Sequence, residues 1–210
     1  MSSADDLLKA FPSYLTDATR ESLNDELTNF LENPAIKNDP FSSYDNDFFL
    51  QGDILRRVPT PGWKDGRFAT FDEGNCIVLS NTCDIDTTNT RMTPLDCVLA
   101  PIFSIDKYQN SLRRRNYSEK KIQSFCDTLM DYRVSNLFFL PIDEEFKYSR
   151  EGKGYFVSLD KAFSLPRDIL SVAQRVRSFN QFASYLFTFQ ISINFCRFHD
   201  KVDRDANKSF

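Results

Sequence analysis

The sequence predicts an α+β fold: a small, mostly antiparallel β-barrel with an N-terminal helical arm and a long C-terminal helix. Three observations carry this. Short apolar runs at 76–79, 97–102, 136–142 and 154–159 are bounded by polar or turn-forming residues, as short strands are. Ser118 to Arg133 places Ile122, Phe125, Cys126, Leu129 and Met130 on one helical face behind a serine able to cap. Residues 167–198 show no evident turn over a length that no strand reaches.

The elements follow in order. Leu23, Leu27, Phe30 and Leu31 recur at helical spacing, and Asn33-Pro34 is a stop, so 1–47 reads as a helical arm and linker. The barrel is expected over 48–160, with 118–133 as an inserted helix. It opens on Phe48–Arg57, where Gly52-Asp53 between apolar residues points to a bulge or a close backbone approach. Pro59, Pro61, Gly62, Gly66 and Gly74 make 58–75 a loop. Cys76 to Leu79 is then the central buried strand, and it breaks into Ser80, Asn81, Thr82, Cys83 and Asp84. The last segment, 161–210, is expected to be helical. Phe182, Leu186, Phe189, Ile193 and Cys196 form its seam, although Phe187 to Phe195 also alternates as a strand would.

Composition narrows the function. Net charge is −4, which argues against indiscriminate nucleic-acid binding over the whole surface. Six glycines and no GxxxxGK[ST] or GxGxxG pattern leave no phosphate loop. Five cysteines, an odd number without a CxxC pair, read as reduced thiols of a cytoplasmic protein. No signal peptide, membrane span, cofactor or metal site is expected. Asp53, Asp84 and Asp86 are weighed as cation ligands, and turn formation is the preferred reading. The 21 phenylalanines call for a core, an interface or both.

Two constellations could carry chemistry. Cys83 at a strand end could act as a nucleophile with the single histidine, His199, as base and Asp200 or Asp84 as orienter. The structural alternative makes Cys83 a small packed side chain and His199 a helix-end cation, with the two chain segments forming a hydrogen-bonded clasp on one face. The run Arg113-Arg114-Arg115 with Lys120 and Lys121, interleaved with tyrosines, could hold phosphates and stack bases, or be a solvated helix start.

Gly52-Asp53-Ile54, Val78-Leu79-Ser80-Asn81 and Leu99-Ala100-Pro101-Ile102 together resemble the opening of the MazF/PemK toxin family, over about residues 48–105. The chain also resembles uncharacterised bacterial proteins with a GDI segment and a Ser-(Gln/Asn)-x-Cys-Asp strand end. The toxin resemblance implies an SH3-like barrel and a role in toxin–antitoxin or phage-defence systems, with RNA or DNA or a protein as partner. It does not carry over the cleavage chemistry. The family's Arg-Pro before the central strand is Gly74-Asn75 here, and its Thr after the Pro-Ile pair is Phe103, followed by Ser104. Both changes remove groups that would stabilise charge on a cleaved phosphate. The alternatives are a non-catalytic interaction module, binding a partner or a second copy through the Phe-rich C-terminal helix, and a Cys/His hydrolase.

Overall fold

The computed structural model describes residues 16–32, 39–89, 92–143 and 152–195. Helix α1 (Asp17–Glu32) precedes strands β1 (Phe41–Ser42), β2 (Ile54–Lys64) and β3 (Arg67–Val78). After a single helical turn, α2 (Thr82–Ile85), come β4 (Asp96–Ser104), α3 (Ile105–Arg114), α4 (Glu119–Met130), β5 (Leu137–Leu140) and β6 (Tyr155–Ser158). The chain closes with β7 (Phe163–Pro166), β8 (Arg175–Phe179) and α5 (Gln181–Phe195). The fold is α+β, and all the described strand pairings are antiparallel. Strand order is β1-β8-β2-β3-β4-β6-β5, with β7 also on β4. β1 and β5 end the sheet and do not pair with each other, so the ring of pairing that a closed barrel requires stays open.

Both faces of the central strands are buried. Ile54, Ile77 and Ala100 face a core closed by Phe138, Val157, Phe179 and Phe187, while Leu55, Cys76, Val78 and Leu99 face a second one with Phe49, Ile85 and Leu170. This is why Cys76–Leu79 reads as a continuous apolar run rather than an alternation. A third cluster packs α3 and α4 against the outer side of β5 and β6. Many of the phenylalanines meet in the first core: Phe138, Phe179 and Phe187 lie 5.0–5.6 Å apart between ring centroids, and Phe30 of α1 meets Phe182 of α5 at 6.0 Å. Ser118 precedes α4 as expected, but its hydroxyl makes no capping hydrogen bond.

Pro101 lies in an interior strand without conflict. Along one edge of β4, Asp96–Leu99 pair with β7 and Ile102–Ser104 with β6. Between these stretches the partner chain loops out as a 3-10 turn, Leu159–Lys161. Alternation from Ile77↔Ala100 turns the Pro101 nitrogen toward this gap, where no N–H is required.

Two segments depart from the expectations. Residues 58–75 are not a loop but most of a long β2–β3 hairpin. Its turn is Asp65-Gly66, both at positive φ, the two-residue type that matches strand twist. Pro61 sits opposite Thr70 at an unbonded pair, so its missing donor costs no ladder bond. Nor is 161–210 continuously helical. It begins with β7, two 3-10 turns and β8, and α5 starts only at Gln181. Ser171-Val172-Ala173-Gln174 forms a capping box, and Asn180 accepts a hydrogen bond from the Ala183 N–H at 2.9 Å. The buried seam of α5 is Phe182, Ala183, Leu186, Phe187 and Gln190; Phe189, expected within it, is 63% exposed. Cys196 lies outside the described residues. No helix among the described residues is long and apolar enough to cross a membrane.

Candidate functional site

A large cavity opens where β3 parts from β4. The two strands pair only from Cys76↔Pro101 to Val78↔Leu99. Beyond that, β3 leaves with β2 as a projecting hairpin, and two bulges explain the departure. Between Leu55↔Cys76 and Val58↔Gly74, β2 carries one extra residue, and Arg57 takes a φ of 56°. The Gln174 side chain holds this bulge by donating to the Arg56 and Arg57 carbonyls at 3.3 and 2.8 Å. Between Val58↔Gly74 and Thr60↔Phe71, the extra residue is on β3. Each bulge bends the ladder and increases its twist.

Gly74 is required at the second bulge. A Cβ there would lie 1.8 Å from the Thr60 hydroxyl oxygen and 3.1 Å from the Val58 carbonyl oxygen. The Thr60 hydroxyl instead donates to that carbonyl at 3.0 Å. At Gly62 a Cβ would meet the Phe71 ring at 2.7 Å, so the ring lies directly over the glycine backbone.

The resulting groove is an open cavity of about 980 Å³ between Thr60–Gly62, Thr70, Phe71 and Glu73–Asn75 on the hairpin and Pro101–Phe103 with Lys161–Phe163 on the other side. A second cavity of about 360 Å³ shares Glu73, Gly74, Asn75, Ile102 and Phe103 and continues to Lys107, Tyr108 and Tyr155. Phe71 and Phe103 are 45% and 39% exposed. Phe103 and Tyr108 both rest on Phe156, at 5.7 and 5.3 Å. The hydroxyl of Ser104 accepts from the Lys107 N–H at 3.4 Å and caps α3. Gly74, Asn75 and Phe103, which stand where the toxin resemblance expects Arg, Pro and Thr, thus meet in one groove.

Of the expected Cys83 site, Cys83 and Asp84 fall among the described residues. Cys83 and Asp84 are exposed on α2. The Cys83 N–H donates to the Asn81 side chain at 3.0 Å, and its carbonyl accepts from Asn89 at 2.8 Å. Among the described residues no acid or base is hydrogen-bonded to its sulfur. His199 and Asp200 lie outside the described residues. Helix α5 does reach this segment: Thr188 donates to Gln51, whose own N–H donates to Thr82, at 3.1 and 3.0 Å. Burial pushes the Cys76 and Cys97 thiols up to about 12 and about 11, which makes both poor nucleophiles.

The basic run forms the tip of the α3–α4 hairpin. Arg113 is tied to Glu119 at 2.7 Å and to Asn110 at 2.9 Å, while Arg114, Arg115, Lys120 and Lys121 are exposed. The Arg113–Glu119 contact raises the pKa of Arg113 and lowers that of Glu119.

Sequence reading missed a buried clasp around Asp53. Asp53 Oδ2 accepts from the Leu50 N–H at 2.9 Å and from Arg175 at 3.2 Å, and Ser178 donates to Oδ1. Arg175 also binds the carbonyls of Tyr44, Asn46 and Phe48. Asp53 and Asp86 are thus engaged in local structure, Asp86 accepting from the N–H and hydroxyl of Thr88 at 2.8 Å. No protein-family model matches the chain, and no curated protein shows significant similarity to it.

Proposed function

We propose that this chain is a non-catalytic binding protein that holds an extended stretch of a polymer partner, protein or nucleic acid, in the groove between β3 and β4. We further propose a cytoplasmic setting in a bacterial toxin–antitoxin or phage-defence system, on a sheet related to the SH3-like toxin barrel, as the resemblance implies. The observation that carries the binding reading is the split itself, a long open trough with exposed aromatic rings on both walls. Gly74 and Phe103 at the resembling positions support binding without phosphate cleavage, because neither side chain offers a donor to a developing charge.

The test is an amide-exchange footprint of the purified chain with an eight-nucleotide oligouridine and with a pool of random octapeptides, while RNA length is followed on a gel. Slower exchange at 70–75 and 102–104, with RNA left intact, is the expected result. Cleavage of RNA, or no footprint from either polymer, overturns the reading.

A second reading rests on α5. Phe189 and Phe195 are 63% and 58% exposed, so this helix offers another apolar surface to a partner or a second copy.

A further inference from the structure

We infer that the occupant of the groove is an extended peptide that adds as a strand to the outer edge of β3, with a basic side chain opposite Glu73. This rests on the binding reading above and narrows it to one class of partner.

Backbone geometry comes first. The two-residue turn at Asp65-Gly66 makes Lys64↔Arg67 a hydrogen-bonded pair. Alternation then turns the N–H and C=O of Phe68 and Thr70 away from β2. Pro61 opposite Thr70 agrees with this, since it has no donor to offer in the ladder. Among the described residues no strand pairs with β3 on this side from 67 to 74. Proteins usually shorten, charge or cover such an edge, because it is a template for another strand. Residues 70–75 span about 20 Å, room for about six extended residues.

Side-chain chemistry then sets what the peptide should carry. The Phe71 and Phe103 rings suit apolar side chains on one face of an added strand. Glu73 lines both cavities and is exposed. A peptide lysine or arginine would pair with this carboxylate. Because Lys161 lines the larger cavity and Lys107 the smaller, what favours peptide over a phosphate backbone is the open edge of β3, with which only a polypeptide can form a ladder.

Selection of a phage-displayed octapeptide library on the full chain tests the inference. The expected winners alternate apolar residues and share one Lys or Arg. A synthetic winner should slow exchange of the Phe68 and Thr70 amides, and N-methylation at alternate positions should weaken it tenfold or more. On Glu73→Lys, selection should replace the shared basic residue by Asp or Glu. Failure to enrich, unprotected β3 amides, or indifference to N-methylation or to Glu73→Lys overturns the peptide strand. If oligouridine protects the same amides and no peptide does, the groove stands and the peptide falls; if neither protects them, both readings fall.

Discussion

Replacing Arg175 by alanine should unfasten the segment that leads into β2. The Arg175 side chain is 7% exposed, and its guanidinium lies 3.2 Å from the fully buried Asp53 carboxylate while binding three main-chain carbonyls at 2.6–2.9 Å. Removing it leaves Asp53 with the Leu50 N–H and the Ser178 hydroxyl but no cation. Breaking a buried pair from one side costs about 3–5 kcal/mol. The Tyr44 and Asn46 carbonyls can regain water, so the lower half of that range is expected. Asp53→Asn keeps the shape and removes the charge, at about 1–2 kcal/mol. The double variant should then cost about 1–2 kcal/mol less than the two single costs summed, because Arg175→Ala no longer strands a charge. Urea unfolding monitored by circular dichroism measures all three. A cost below about 1 kcal/mol for Arg175→Ala, or strict additivity, would refute this account.

The same clasp sets a pH dependence. Burial raises the Asp53 pKa above 3.8, opposed by the Leu50 N–H, Ser178 and Arg175. A raised carboxyl pKa contributes stability that is fully present below 3.8 and is lost as pH rises through the folded-state value. Wild type should therefore lose stability relative to Asp53→Asn as pH climbs from 3.8, and unfolding midpoints between pH 3.5 and 7 check the sign. Gly52→Ala should cost about 2 kcal/mol or more: Gly52 has a φ of 91°, and a Cβ would lie 2.6 Å from the Phe179 ring. Thermal melts read this, and an unchanged midpoint would refute the packing argument. Thiol labelling of the native protein at neutral pH should lose its fast phase at exposed Cys83 in Cys83→Ser, while buried Cys76, Cys97 and Cys126 stay unlabelled until unfolding.

What the sequence determined by itself were the elements whose signal is local. Most of the runs 76–79, 97–102 and 154–159 lies in strands, Cys76–Val78 in β3, 97–102 in β4 and Tyr155–Ser158 in β6, because apolar runs of that length between turn formers have few other solutions, and α4 appears because its five apolar residues share one face. Gly52-Asp53 pointed to a bulge or a close approach, and the Phe179 ring supplies the second. Two local signals, the Ser171–Gln174 capping box and Asn180, divide the segment expected to be one long helix. Tertiary structure decided the rest. Prolines and glycines in 58–75 resemble a loop in sequence, yet three of them have defined places in the hairpin: Pro61 at an unbonded pair, Gly66 in the turn and Gly74 beneath Thr60. Which edge stays open depends on where two bulges bend β3 away from β4, and a bulge depends on cross-strand partners 11 to 21 positions away. The Asp53–Arg175 clasp joins residues 122 positions apart. No local pattern encodes such pairings, because their energy exists only once the intervening chain has folded to bring them together.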